Sequence, residues 1–461
     1  MARSRILLPL TLALLALAVV TPTAPAMTPP ERGPLFVPDP HGPYHVGKAP
    51  ISVLSGNFDP MGRGFEKNLL IGYALGSRAN LFYADRHRPG LRKLGYFSAP
   101  TGPSAFGGTS YDLAILSAGS DQARFYEIDA FSGALHSKST VQTGPEPVAA
   151  VVDNFVSTEN RESFNTLDLA VADRLTGQLQ LFSSEGGKHL HLAATVPLGP
   201  EPTAAIGHEC CVPVIYATTA GNDRLNFLSG FQNGEFRERL SFPVGDRPSA
   251  VALGDFVRGD SGDEELAVAN RGSDNVTILD AVGRTYEFRT IGTYSVGHEP
   301  VAISAVDIDH RDGLDLAVVN TGSDDVSILL NDGSGGFKPG GTFPVGKEPV
   351  ALAAFRFNRP FEPDLAVVNR GSSDLSILLR RVDGKCRGRE AQRVVGTDGR
   401  DHLTGLGRGP NQTEGLGGDD TINGAYGGDC LSGGGGNDLI RGGSQGDLIT
   451  GGPGDDELLG E

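Results

Sequence analysis

The stretch LDLAVVNTGSDDVSILL, Leu314 to Leu330, returns almost unchanged as PDLAVVNRGSSDLSILL, Pro363 to Leu379. DLAVVN is nearly all apolar, the pattern of a strand covered on both faces, and VSILL alternates before it ends. The Gly, Ser and Asp residues between them, Thr321 to Asp325, predict a hairpin turn. Weaker copies are NLLIGYALGSRANLFY from Asn68, YDLAILSAGSDQARFYEI from Tyr111, LDLAVADRLTGQLQLF from Leu167, VPVIYATTAGNDRLNFL from Val212 and EELAVANRGSDNVTIL from Glu264, which makes seven copies in all.

A second phrase, G-x-x-P, precedes every copy but the second: Gly47 to Pro50, Gly144 to Pro147, Gly199 to Pro202, Gly245 to Pro248, Gly297 to Pro300 and Gly346 to Pro349. From Gly144 onward the glycines are 55, 46, 52 and 49 residues apart, the length of a supersecondary unit. The run after G-x-x-P (VAISAVDID from Val301) reads as a further strand, and the stretch ending FPVG, Gly336 to Gly346, as a fourth. Four short strands repeated seven times predict a β-propeller, with a stacked solenoid as the alternative.

The last part of the chain has a different period. Copies run GLGGDDTIN from Gly415, GAYGGDCLS from Gly424, GGGGNDLIR from Gly433, GGSQGDLIT from Gly442 and GGPGDDELL from Gly451, all in nine-residue register. GTDGRDHLT from Gly396 is a sound earlier copy; LGRGPNQTE from Leu406 has Asn411 for Asp and Thr413 for the apolar residue. From Val395 onward twelve acidic residues face three basic ones, so this short tail supplies −9 of the net −17. Acidity localised in this way points to a cation and away from nucleic acid. If each copy is a glycine-rich turn plus a short strand, nine residues make half a coil. Ile422, Leu431, Ile440, Ile449 and Leu458 then point inward, Asp420, Asp438 and Asp456 stack on one edge, and Asp429 and Asp447 on the other. The fold class expected is all-β, a seven-bladed β-propeller with a C-terminal parallel β-roll. A flexible glycine-rich linker, the alternative for the tail, needs no periodic Asp or apolar position.

These phrases carry two resemblances. D-L-A-V-V-N-x-G-S-x-x-(V/L)-S-I-L-L, with V-G-x-E-P before it, is similar to the VCBS/FG-GAP repeat family, whose members form seven-bladed propellers; the likeness is strongest in the last three repeats. The tail resembles the haemolysin-type, or repeats-in-toxin, nonapeptide G-G-x-G-x-D-x-U-x. That resemblance implies Ca2+ as cofactor, held by Asp401, Asp420, Asp429, Asp438, Asp447 and Asp456 with carbonyl help from Gly415, Gly417, Gly424, Gly433, Gly435, Gly442 and Gly451. In the propeller, the family's loop D-x-(D/N)-x-D-G-x-x-D finds its best match from Asp307 to Asp315. Asp307, Asp309 and Asp315 fit, but Arg311 stands at an acidic position and Asp312 is displaced by one, so a solvated turn is an equal reading. Glu146, Glu201, Glu299 and Glu348 of the G-x-E-P turns either ring the channel mouth or are simply solvated.

Arg3 and Arg5, an apolar stretch from Ile6 to Val20 and Ala24-Pro25-Ala26 read as an export signal, with an uncleaved anchor as the alternative. Export permits disulfides among Cys210, Cys211, Cys386 and Cys430, whose pairing stays open. The expected organisation is a signal peptide (1–26), a proline-rich linker (27–44), the propeller (45–385), a linker (386–394) and the calcium-binding roll (395–461). No H-E-x-x-H pair or phosphate-cradling loop occurs, and the G-x-S-x-G match at Gly442 to Gly446 is part of a nonapeptide copy, not a nucleophile elbow. The expectation is therefore a secreted, extracellular, non-catalytic binding or adhesion protein, with no membrane span after processing and no nucleic-acid partner. Its propeller would engage a glycan, protein or surface. The alternative is a secreted propeller hydrolase or lyase acting on a polysaccharide or phosphoester.

Overall fold

A computed structural model shows an all-β chain. It describes residues 36–39, 42–56, 68–73, 78–84, 91–99, 102–108, 112–128, 135–153, 168–184, 189–209, 213–230, 236–257, 265–281, 287–309, 313–355, 363–380, 385–386, 389–390, 392–397, 399–405, 411–451 and 454–460. The export-signal reading therefore lies outside the described residues. Among those described, no helix is long and apolar enough to cross a membrane.

Seven antiparallel sheets form the propeller. Each starts at the proline of a G-x-x-P phrase, or at Pro103 in blade two, where the fixed φ of proline suits the first residue of an edge strand. Blade six is representative: Pro300–Val306, Asp315–Asn320, Asp325–Asn331 and Phe337–Pro344 pair in sequence order. The second strand is buried at every residue in blades three, five, six and seven, because neighbouring blades cover both of its faces. Side chains of one blade pack on the next, as Ala149, Val151, Ala170 and Ala172 of blade three do on Ile215 and Ala217 of blade four.

Ring closure comes from far away in the chain. Blade seven supplies Pro349–Phe355, Asp364–Asn369 and Asp374–Arg380, and its outermost position is filled by Phe36–Pro38 and Tyr44–His45. Phe36 pairs with Arg380 and His45 with Asp374. Part of the stretch read as a proline-rich linker is thus a structural strand. Phe36 is 1% exposed and meets Phe343 edge-on at 5.4 Å between ring centroids.

The tail forms two four-stranded parallel sheets. Gln392–Val395, Asn411–Glu414, Cys430–Ser432 and Leu448–Thr450 stack in one, and His402–Thr404, Thr421–Asn423, Leu439–Arg441 and Glu457–Leu459 in the other. Consecutive nonapeptides therefore alternate between the two sides, as the half-coil argument requires. Ile422, Leu431 and Ile440 form the buried core, with Leu403 and Ile449 packed against it. Leu458 has a neighbouring rung on one side only and stays 47% exposed. The degenerate copy keeps register: Thr413 is buried opposite Leu431. Cys430 is disulfide-bonded; the side chains of Cys210, Cys211 and Cys386 lie outside the described ones.

Candidate functional site

In the roll, each aspartate of the nonapeptide does two different things with its two oxygens. Oδ1 accepts a backbone N–H from the coil before: Asp401 N to Asp420 at 2.8 Å, Asp420 N to Asp438 at 2.9 Å and Asp438 N to Asp456 at 3.0 Å. On the other edge Asn411 N reaches Asp429 at 2.6 Å and Asp429 N reaches Asp447 at 2.9 Å. Oδ2 of Asp420, Asp429, Asp438 and Asp447 is buried with no hydrogen-bond partner. A buried oxygen of this kind is costly unless something satisfies it.

The first glycine of each copy faces those orphaned oxygens. A Cβ on Gly433 would collide with Asp438 Oδ2 and lie 2.6 Å from the carbonyl oxygen of Gly451; one on Gly424 would lie 2.6 Å from Asp429 Oδ2 and collide with the carbonyl of Gly442. Gly415 has the same relation to Asp420 and Gly433, while Gly442 faces Asp447 and Gly451 faces Asp456. Carboxylate and carbonyl oxygens therefore converge on a space that only glycine leaves open, and an all-oxygen set of this type suits calcium. Burial, followed by the stacked charges of Asp456 and Asp420, pushes the Asp438 carboxyl up to about 6 against the opposing Asp420 N–H. Asp420, Asp429 and Asp456 are raised too, chiefly by burial.

The two expected edges are present, with differences at their start. Asp401 joins the first column, but its Oδ2 accepts Thr397 N at 2.6 Å and so closes its own turn. Asn411 occupies the aspartate position of the second column. Gly417 and Gly435 bridge one turn to the next. Beside the first column runs another that sequence reasoning overlooked: Asn437 N donates to Asp419 Oδ1 and Asp455 N to Asn437 Oδ1, while Arg400 pairs with Asp419 at 3.0 Å. Their eighteen-residue spacing was the available signal.

In blade six, ligand atoms of Asp307, Asp309 and Asp315 lie within 4.8 Å of one another; Asp307 is exposed, Asp309 half-buried and Asp315 buried. Asp315 already accepts Ile308 N at 2.8 Å and Asp309 N at 3.2 Å on Oδ2, and Asn331 N at 2.9 Å on Oδ1. Burial pushes its carboxyl to about 6, opposed by the Asn331 N–H. Glu265 makes the equivalent clasp in blade five, to Phe256 N at 2.6 Å and Val257 N at 3.2 Å. The acid that opens the second strand, Asp315 or Glu265, is therefore a loop anchor first. Residues 310 to 312 of the matched loop lie outside the described residues.

The G-x-E-P turns and the hairpin turns share one face of the propeller. Glu146, Glu201, Arg247, Glu299 and Glu348 all adopt positive φ, between 48° and 56°. In Glu146, Arg247, Glu299 and Glu348 both backbone groups are used. The N–H donates to an aspartate of the preceding blade, as Arg247 N to Asp223 at 2.7 Å, Glu299 N to Asp274 at 2.8 Å and Glu348 N to Asp324 at 2.8 Å. The carbonyl accepts from the next hairpin turn, as from Arg271 N at 3.0 Å and Thr321 N at 3.0 Å. The glutamate side chains are exposed, and Glu299 and Glu348 are held by Arg271 at 2.6 Å and Arg370 at 3.3 Å. Setting the turn accounts for this phrase.

Between blades five and six, Arg247, Arg271, Gly272, Asp274, His298, Glu299 and Gly322 line a cleft of about 530 Å³. His298 Nδ1 lies 2.8 Å from Asp274 Oδ2, and that hydrogen bond and charge hold the imidazole above its ordinary value. Burial pushes the Asp274 carboxyl up, but the Glu299 N–H and His298 outweigh it and leave it lowered. Arg247, His298 and Glu299 stand in G-x-x-P phrases and the rest in hairpin turns, but nothing in those phrases shows that residues of two different repeats meet here.

The architecture is thus a seven-bladed propeller followed by a parallel β-roll. No protein-family model matches the chain, and no curated protein matches it in sequence. Solved structures match its fold. Among them are the periplasmic gluconolactonase PpgL of Pseudomonas aeruginosa (15% identity, 72% of this chain and 89% of that one, TM-score 0.50) and hydrazine synthase of Kuenenia stuttgartiensis (14%, 72% and 96%, TM-score 0.51). A 6-phosphogluconolactonase candidate of Bacteroides uniformis is 12% identical over 65% of this chain and 86% of that one, with a TM-score of 0.50. At such identities the likeness is one of fold. It nevertheless corrects the expectation that the chain is not an enzyme: in Pseudomonas aeruginosa a propeller of this fold is a gluconolactonase, so the absence of familiar catalytic motifs does not argue against hydrolysis.

Proposed function

We propose that this is an exported calcium-binding protein whose C-terminal roll folds on Ca2+ and whose propeller is a hydrolase or lyase acting on a carbohydrate or phosphoester. The observation that carries the first part is the pair of aspartate columns, with their orphaned Oδ2 atoms facing glycine cradles. Asp420, Asp429, Asp438, Asp447 and Asp456 would hold the ion with carbonyls of Gly433, Gly442 and Gly451. Bound calcium neutralises stacked carboxylates that otherwise repel one another, so metal affinity becomes folding free energy. At the affinity of typical extracellular modules, about 10⁻⁴ to 10⁻³ M, the roll would remain open inside a cell and close outside. Circular dichroism during a calcium titration tests this: β-structure should rise up to millimolar metal and fall with chelator, and a flat titration removes the reading. Asp307 and Asp309 are a second, weaker calcium candidate.

Support for an enzymatic propeller is the gluconolactonase likeness together with the charged cleft on the turn-bearing face. A sugar-acid lactone is the first substrate to try. Lactone hydrolysis followed by proton release, by the intact protein in calcium, should exceed the spontaneous rate, and no excess over a panel of lactones, phosphoesters and acidic polysaccharides would refute this part.

A further inference from the structure

We infer that the cleft between blades five and six is an anion subsite, in which Arg247 and His298 receive the carboxylate or phosphate group of a charged sugar. This deepens the reading of the propeller as a carbohydrate-active enzyme and rests on it for the sugar, though not for the anion.

Blade five departs from the repeat at one position. At the positive-φ position where blades three, four, six and seven carry Glu146, Glu201, Glu299 and Glu348, blade five carries Arg247. Its backbone is fixed from both sides, by Asp223 on the N–H and by Arg271 N on the carbonyl. The guanidinium, in contrast, has no ion pair or hydrogen bond among the described residues. The other cationic groups around it are spoken for: Arg271 by Glu299 at 2.6 Å and His298 by Asp274 at 2.8 Å. In blade seven Lys347, at the position of His298, is likewise held by Asp324 at 2.7 Å. When His298 is protonated these pairs cancel and Arg247 leaves one surplus positive charge in the cleft, whereas with the ring neutral the lining charges sum to zero.

A guanidinium on a rigid turn presents a planar fork that matches carboxylate and phosphate oxygens. His298 adds a second donor. With Nδ1 on Asp274, Nε2 is the ring's other polar atom, and it donates when the ring is charged, the form Asp274 favours. Gly272 and Gly322 line the same cleft, so backbone there can approach a ligand without a side chain in between.

The test is calorimetric titration of the full-length, calcium-loaded protein at low ionic strength with D-glucuronate, glucose 6-phosphate and glucose. One or both of the charged sugars should bind and glucose should not; which one binds separates a carboxylate from a phosphate subsite. R247E should weaken that binding by about tenfold or more, equivalent to about 1.4 kcal/mol, with R247K intermediate. R174E, which removes an arginine from the hairpin turn of blade three at the same change in net charge, should stay within about twofold. The inference is overturned if neither charged sugar binds, if glucose binds as well as they do, or if R247E and R174E weaken binding equally. Binding without turnover of any substrate refutes the hydrolase reading alone; turnover of a charged sugar unaffected by R247E refutes the subsite alone.

Discussion

Asp173→Asn should stabilise the propeller, and only above acid pH. Asp173 ends the second strand of blade three, where blades five, six and seven have Asn270, Asn320 and Asn369. Those amides each donate two hydrogen bonds, as Asn320 Nδ2 does to Asp325 Oδ1 at 2.7 Å and Ser327 Oγ at 2.9 Å. Asp173 is 0% exposed, and neither carboxylate oxygen has a hydrogen-bond partner. The nearby Gly144 N–H is committed to Gln180 Oε1 at 2.8 Å. Burial, with a contribution from Asp121 and some opposition from the Gly144 N–H, pushes the carboxyl from 3.8 to about 6. Because the folded value is raised, the stability contribution is fully present below pH 3.8 and is lost as pH rises through about 6. A displacement of this size corresponds to about 3 kcal/mol at most. The asparagine variant removes the charge, so it should gain about 1–3 kcal/mol over the wild type at pH 8 and about nothing at pH 4. Urea unfolding at both pH values measures the difference. An equal change at the two pH values, or a loss at pH 8, would refute the account of Asp173 as a buried, unsatisfied charge.

Other outcomes follow from the same structure. G433A places a methyl group among Asp438 Oδ2 and the Gly451 carbonyl; it should weaken calcium-induced folding of the roll at least about tenfold, read as the midpoint of the circular dichroism titration, while leaving propeller unfolding unchanged. N320A removes two hydrogen bonds at a fully buried site and should lower propeller stability by about 2–4 kcal/mol, measured by denaturant unfolding. F36A empties the pocket beside Phe343 in the strand that closes the ring; a loss of about 3–5 kcal/mol is expected, and limited proteolysis should cut first in the N-terminal strand.

Much of the architecture was legible because it is periodic and local. The apolar run of DLAVVN, the turn glycines and the nine-residue spacing of aspartates each declare a conformation within a few residues. Repetition then multiplies a weak signal until the number of blades and the two edges of the roll are determined. The glycine of G-x-x-P illustrates what remained hidden. Its spacing was plain, yet the reason for it, that a Cβ at Gly297 would meet Asn320 Nδ2 at 2.6 Å, involves a side chain more than twenty residues away.

The sequence by itself determined the all-β repeat, its blade count, the alternation of the roll and the positions of its carboxylates, since these depend on side-chain period and turn chemistry. Only the tertiary structure decided that Phe36–Pro38 and Tyr44–His45 close blade seven, that Asp315 anchors its loop with both oxygens, and that Arg247, Asp274 and His298 share one cleft. Those facts arise from contacts between distant segments. A repeat pattern specifies each blade, but what faces what across two blades depends on how the ring closes.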